Sequence, residues 1–414
     1  MHLLEKIFCR VVQFGFRTVL PVLPYKDPAV LNSVADIPAV LQQKGIDSVL
    51  LVTDDYLHSS GATKKLEQLL WSSHIRCYVY DGVCPNPTVD NVEGALQEYV
   101  RGGCQATIAF GGGSVIDCAK AVGARVAYPQ KSIQQLKGLL RVLRKTPLLI
   151  AVPTAAGSGS EAALASLISE PEKKRKYVLY DFTLIPEYAV LDAEVTYTVP
   201  PHLTATIGMD AMTHAVEAYI GQTTTEQTRD YAKRAVKLIF ENIETAYNDG
   251  RDHEARANML YASHLAGIAF SKSYVGYIHT VAHSLGGQYN TPHGLANAVI
   301  MPYVLEAYGE AVYEKLHDLA VCAGVAKESD SHEAAAKRFI CALRRLNYRM
   351  GIPTSLDCVK AEDIPVLAEH AAAEANPLYP VPVLMDAKEL ERFYYAIMEQ
   401  PKAKKAENGR DIAA

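Results

Sequence analysis

The residues with the most chemistry in this chain fall in two clusters. Asp210 and His214 stand four apart in GMDAMTHAVE, His279 and His283 repeat that spacing in YIHTVAH, and His293 follows in PHG. On a helix, positions four apart share a face, so each pair can turn toward one ion. Three imidazoles and a carboxylate suit a borderline divalent cation, Fe²⁺ or Zn²⁺. All five side chains sit among small and apolar neighbours, where a charge is costly to bury unless it is paired or coordinated. A single histidine on a helix is ordinarily structural, but five such residues in two clusters point to a cation. His264, His317 and His370 lack that context and read as surface or packing residues. The zinc-protease pattern HExxH is absent.

A second chemistry is written in glycine. Gly111-Gly112-Gly113-Ser114 follows a strand-like run and opens a helical one. Backbone amides there can approach a phosphate closely, and Ser114 is expected to cap the helix. Pro153-Thr154 and Gly157-Ser158-Gly159-Ser160-Glu161 follow the next apolar run. Two such turns at the carboxyl edge of a parallel sheet could embrace one dinucleotide. Asp54 closes an earlier run, where its carboxylate could bind ribose hydroxyls and repel a 2'-phosphate, favouring NAD over NADP. It could equally cap the next helix.

These two sites call for different scaffolds. From residue 46 short apolar runs (46–53, 76–80, 106–110, 148–152) alternate with helical patterns (62–72, 88–100, 114–126), the mark of a parallel sheet covered on both faces. After Pro200-Pro201 helical patterns follow one another (203–220, 226–248, 253–270, and on to about residue 398). The chain therefore divides near Val199 into an α/β half, 1–199, and a helical half, 200–414. A length of 414 residues with 49% hydrophobic and 21% charged side chains is ordinary for two globular domains. A net charge of -5 with one short basic run, 173–176, gives no reason to expect nucleic acid. Eight cysteines without a CxxC pair fit free thiols in a reducing cytoplasm. The apolar stretch 1–24 is broken by Glu5, Lys6, Arg10, Gln13 and Arg17, so it reads as neither a signal peptide nor a membrane span. Residues 402–414 read as a frayed tail.

Taken in order, the motifs resemble the iron-containing (group III) alcohol dehydrogenase family over about residues 36–393. They comprise Pro85-Asn86-Pro87-Thr88, the glycine turn with Asp117 and Lys120, Thr154 to Glu161, and the segments 186–192, 208–214, 267–270 and 279–302. The resemblance implies a Rossmann-like dinucleotide-binding domain, an all-α metal-binding domain and a cleft between them, the dehydroquinate synthase-like architecture. It implies Asp210, His214, His279 and His293 as ligands of Fe²⁺ or Zn²⁺, with His283 beside the metal near the nicotinamide. It implies NAD held by Asp54, Asn86, Gly112, Gly113, Ser114, Asp117, Thr154, Ser158 and Lys176. The reaction implied is interconversion of a small primary alcohol or diol with its aldehyde, in a homodimer or larger assembly. Two features depart from the pattern: Ala155 stands where a second threonine is common, and the stretch before about Val34 is longer than the usual start. Glycerol dehydrogenase and dehydroquinate synthase share the architecture, but one aspartate with three histidines favours the alcohol dehydrogenase branch. A nucleotide-free metal hydrolase, with the glycines only a turn, is the alternative outside that group.

Overall fold

A computed structural model describes residues 1–170 and 175–399. The basic run at 173–176 lies partly, and the tail at 402–414 wholly, outside the described residues. In chain order the strands are β1 (Ala29–Leu31), β2 (Ser48–Val52), β3 (Arg76–Tyr80), β4 (Ala106–Gly111), β5 (Gly138–Leu139), β6 (Leu148–Pro153), β7 (Ala165–Glu170), β8 (Arg175–Tyr180) and β9 (Tyr188–Val190). Six of them form a sheet in the order β1-β9-β6-β4-β2-β3. Every pairing in it is parallel. Strands β2, β4 and β6 are buried along their whole length, as expected of parallel strands covered on both faces.

The helices of this half are α1 (Leu3–Val19), α2 (Ile37–Gln43), α3 (Asp55–Ser59), α4 (Lys64–Ser72), α5 (Val89–Arg101), α6 (Gly113–Ala127) and α7 (Ile133–Leu136). The sequence pattern anticipated the central strands and their helices. It did not anticipate β1 and β9, which have three residues each, nor the second sheet, β5-β8-β7. Three residues carry too little periodicity to be read, and β7 pairs antiparallel with β8 in a hairpin outside the strand–helix rhythm.

The second half contains α8 (Pro201–Ile220), α9 (Glu226–Asn248), α10 (His253–Ser273), α11 (Tyr277–Tyr289), α12 (His293–Tyr308), α13 (Tyr313–Cys322), α14 (His332–Arg349), α15 (Ile364–Ala375) and α16 (Ala387–Ile397), with no strand among the described residues. Helix α8 is buried on every side from Gly208 to Ile220, packed among α9, α10 and α12. A helix apolar all round belongs in the centre of a bundle. Its few charged positions are therefore forced into the interior.

The two halves meet where the loop after β6 presses on α10. Gly159 adopts a left-handed conformation (φ +60°), and its backbone touches Gly267: a Cβ on Gly267 would stand 2.7 Å from the Gly159 carbonyl oxygen and 2.8 Å from its Cα. Lys120, 1% exposed on α6, fixes the same loop. Its Nζ donates to the carbonyls of Ala163 (2.7 Å) and Ala165 (2.8 Å). Burial pushes that ammonium down to about 8, against the pull of Asp117 and Glu161.

Helix α1 is docked rather than loose. Arg10 donates to the carbonyls of Val381 and Pro382, both at 2.8 Å, and Gln13 to that of Tyr379 at 2.7 Å. Its other face leaves Leu4, Phe8 and Phe14 exposed. No helix among the described residues is long and apolar enough to cross a membrane, and all eight cysteines are free thiols.

The contact between Gly159 and Gly267 is backbone on backbone, so no rotamer change can relieve an added methyl. Gly267→Ala should cost about 1–3 kcal/mol of stability, read as a lowered midpoint in thermal or urea unfolding. An unchanged midpoint would show that the contact is loose.

Candidate metal centre and dinucleotide cleft

Asp210 and His214 share a face of α8, as their spacing requires, and His279 and His293 stand in the first turns of α11 and α12. Donor atoms of Asp210, His279 and His293 lie within 4.8 Å of one another. His279 Nε2 stands 3.9 Å, and His293 Nε2 3.4 Å, from Asp210 Oδ1. His214 falls outside that mutual set but lies against it, its ring stacked on His279 with centroids 4.5 Å apart. The other face of His214 is covered by Phe270 at 4.2 Å.

The hydrogen bonds decide which imidazole nitrogens face the centre. His279 Nδ1 meets Glu217 Oε2 at 2.6 Å, and His214 Nδ1 meets the Gly157 carbonyl at 3.3 Å. Each contact places the proton on Nδ1 and turns the Nε2 lone pair the other way. His279 Nε2 is buried without a hydrogen-bond partner. A lone pair facing a carboxylate in a dry interior is an arrangement a cation relieves, so the donor set fits a divalent metal ion. Burial pushes the pKa of both His214 and His279 down, which keeps them in the neutral form that binds metal.

Three residues of this centre were not singled out from sequence. Glu217 is buried and also accepts from the backbone N–H groups of Gly276 and Ile278, both at 2.8 Å. Burial raises its carboxyl to about 7, against the hydrogen bonds from Gly276, Ile278 and His279. Its signal was legible: Asp210, His214 and Glu217 fall at i, i+4 and i+7 on one helical face. Asn297 donates to Asp210 Oδ1 at 2.6 Å, one turn after His293. Glu374, on α15, holds His283 Nδ1 at 2.6 Å and accepts from the Tyr379 hydroxyl at 3.1 Å. Nothing local in the sequence pairs position 374 with 283. Burial opposes ionisation of Glu374, but His283 and the hydrogen bonds outweigh it and hold the carboxyl below its usual value.

One cleft of 480 Å³ joins this centre to the glycine turn. Asn86, Gly113, Ser114, Asp117 and Ser158 line it from the sheet side, and Asp210, His214, His283 and His293 from the helical side. Ser114 does not cap α6: Gly112 holds the N-cap position, and Ser114, one residue into the helix, accepts from the Asn86 N–H at 3.3 Å. Asp117 has both oxygens engaged within the protein, by Ser160 Oγ (2.5 Å) and the Leu167 N–H (3.0 Å). It therefore braces the second turn. Asp54 caps α3 through the Leu57 N–H at 2.9 Å, the plainer of its two readings. Thr154 is buried behind the cleft, its N–H on the Gly111 carbonyl at 3.1 Å. Lys176 lies in β8 opposite Ser169. Among the other histidines, His264 is buried 3.5 Å from Glu161, a packing position under the loop.

A family profile described as iron-containing alcohol dehydrogenase matches residues 31–193, and its counterpart for the C-terminal region of the Fe-containing alcohol dehydrogenases matches 204–398. The chain belongs to the iron-containing alcohol dehydrogenase family. As a member it is an enzyme that interconverts alcohols and aldehydes. It is 37% identical over 349 residues to the 1,3-propanediol dehydrogenase of Klebsiella pneumoniae, covering 83% of this chain and 90% of that one. It is 34% identical over 352 residues to the NAD-dependent methanol dehydrogenase of Bacillus methanolicus, covering 84% and 92%. The solved structure of a 1,3-propanediol oxidoreductase superposes with a TM-score of 0.86 at 34% identity, over 90% of this chain and 98% of that one. Helix α1 lies outside both matched ranges.

Because Glu217 fixes the tautomer and aim of His279, Glu217→Gln should weaken metal binding about 10–100-fold. Titration against a competing chelator measures this. An affinity equal to that of the unaltered protein would remove Glu217 from the centre.

Proposed function

We propose that Asp210, His214, His279 and His293 hold one divalent ion, iron or zinc, and that the turns at 112–114 and 154–158 hold NAD. On this reading the boundary near residue 199 separates a dinucleotide-binding domain from a metal-binding catalytic domain. The observation that carries the proposal is the buried, unpartnered His279 Nε2 facing the Asp210 carboxylate, on a cleft whose far wall is the glycine turn. When bound, the ion supplies Lewis-acid polarisation of the substrate oxygen and the nicotinamide exchanges a hydride. A nucleotide-free hydrolase would leave the wall formed by Gly113, Ser114 and Ser158 with no occupant. The substrates are small primary alcohols or diols and their aldehydes. The two relatives just named act on a diol and on methanol, and the dependence of one on NAD supports that cofactor here.

Within the cleft the chain has three tasks. Asp210, His214 and His279 keep their donor atoms in a dry setting, with Phe270 shielding His214. Ser114 and the amides that open α6 face the side where a pyrophosphate would lie. His283, held by Glu374, stands on the same cleft, its ring stacked on His293 with centroids 5.1 Å apart. We assign it the proton released as an alcohol is oxidised, passed from the substrate hydroxyl to the imidazole and on toward solvent. We extend the proposal to a cytoplasmic enzyme, which the free thiols support, and to a homodimer or larger assembly.

A panel of alcohols and aldehydes, tested with NAD and NADP on protein of measured metal content, checks the assignment. Asp210→Ala should lose both metal and turnover, whereas turnover without the ion would refute the centre. His283→Ala should lower kcat about 10²–10⁴-fold and alter its pH profile while metal content holds. An unchanged rate and profile would end the proton-relay role.

A further inference from the structure

Resting on that reading of the site, we infer that this chain accepts alcohols and aldehydes with an extended apolar tail, bound in a cavity walled partly by the N-terminal helix. From His283 a cavity of 670 Å³ leads away from the metal cluster. Its polar lining comprises Ser284, Gln288, His370, the linked pair His283 and Glu374, and the hydroxyls of Tyr180 and Tyr379. Its apolar walls include Phe16, Leu167, Val178, Tyr274 and Leu378. A second cavity of 480 Å³ adjoins it, sharing Phe16, Leu139 and Tyr274; beyond them Val12, Val19, Leu20, Leu164 and Phe182 form an apolar wall, with Gln227, Ser271 and Lys272 on its polar side. The rings of Phe16 and Tyr274 meet edge to face with centroids 5.5 Å apart and form the partition between the two chambers.

A three-carbon diol would occupy only the near end and leave these carbon walls in water. Its second hydroxyl would lie among mostly apolar walls, and the Tyr379 hydroxyl there is committed to Glu374. An alkyl tail instead gains from every methylene buried. The wall is also preformed, because Arg10 and Gln13 anchor α1 to the segment 379–382 and so fix Phe16 in place. Helix α1, which carries Phe16, lies outside both family matches.

The test is a series from 1-propanol to 1-octanol, with 1,3-propanediol beside it, on metal-replete enzyme with NAD. The expected kcat/KM climbs about three- to fourfold per added methylene until the chamber is filled, with the diol below 1-butanol. In Phe16→Ala the ratio of kcat/KM for 1-octanol to that for 1-propanol should fall about tenfold. Val178→Ala serves if Phe16→Ala does not fold. Calorimetry on metal-free protein gives a readout without turnover: 1-octanol should bind with a negative heat-capacity change, more weakly in the variant. A flat or falling series with 1-propanol still oxidised overturns the tail pocket and leaves the dehydrogenase standing. An unchanged ratio in Phe16→Ala overturns the role of α1, and an unchanged ratio in Val178→Ala as well overturns the tail pocket. No turnover of any alcohol or aldehyde overturns the reading of the site beneath the proposal.

Discussion

Two electron-rich groups, the Asp210 carboxylate and the Nε2 lone pair of His279, face each other in the interior, and much of the molecule serves to keep them there. Glu217 fixes the histidine's tautomer from behind, and the Gly157 carbonyl does the same for His214. Both aspartate and glutamate stand on α8, the helix buried on every side. Placing so much polarity in a dry core is costly unless a positive charge completes it. The surrounding bundle supplies the rigidity that holds the donors converged, and the neighbouring cleft supplies the only reason to hold them so close to a glycine turn.

The contact between Gly159 and Gly267 ties the two halves of the site together. The loop that carries Gly157 and Ser158 is pinned from one side by Lys120 and seated on α10 from the other. It reaches the dinucleotide side through Ser158 and the metal side through the Gly157 carbonyl. A shift of this loop would disturb both, so on the proposed reading the two cofactor sites are mechanically coupled through a few residues of backbone.

Much of this was legible in the sequence, because the informative residues obey local periodicity. The i, i+4 pairs, the mostly apolar strand runs and the glycine turn each declare their element. What escaped was of two kinds. Glu217 carried a readable signal, at i+7 from Asp210, but a carboxylate three residues past a histidine looks ordinary until its burial is known. Glu374, Asn297 and the chamber behind Phe16 depend on helices brought together by tertiary packing, which no local pattern records. Ser114 went the other way: its hydroxyl suited an N-cap, but Gly112 takes that position and frees Ser114 to face the cleft. Asp54 kept two readings in sequence, and its bond to the Leu57 N–H realises the capping one without using its second oxygen.

The central claim is that one cation completes the cluster on α8, α11 and α12. Anomalous diffraction from crystals soaked with zinc or, without oxygen, with Fe²⁺ tests it most directly. The account predicts a single strong peak bounded by the Asp210 carboxylate and Nε2 of His214, His279 and His293, with His214 drawn in from its place beside the trio. A peak elsewhere, or one with no contact to His279, would contradict it.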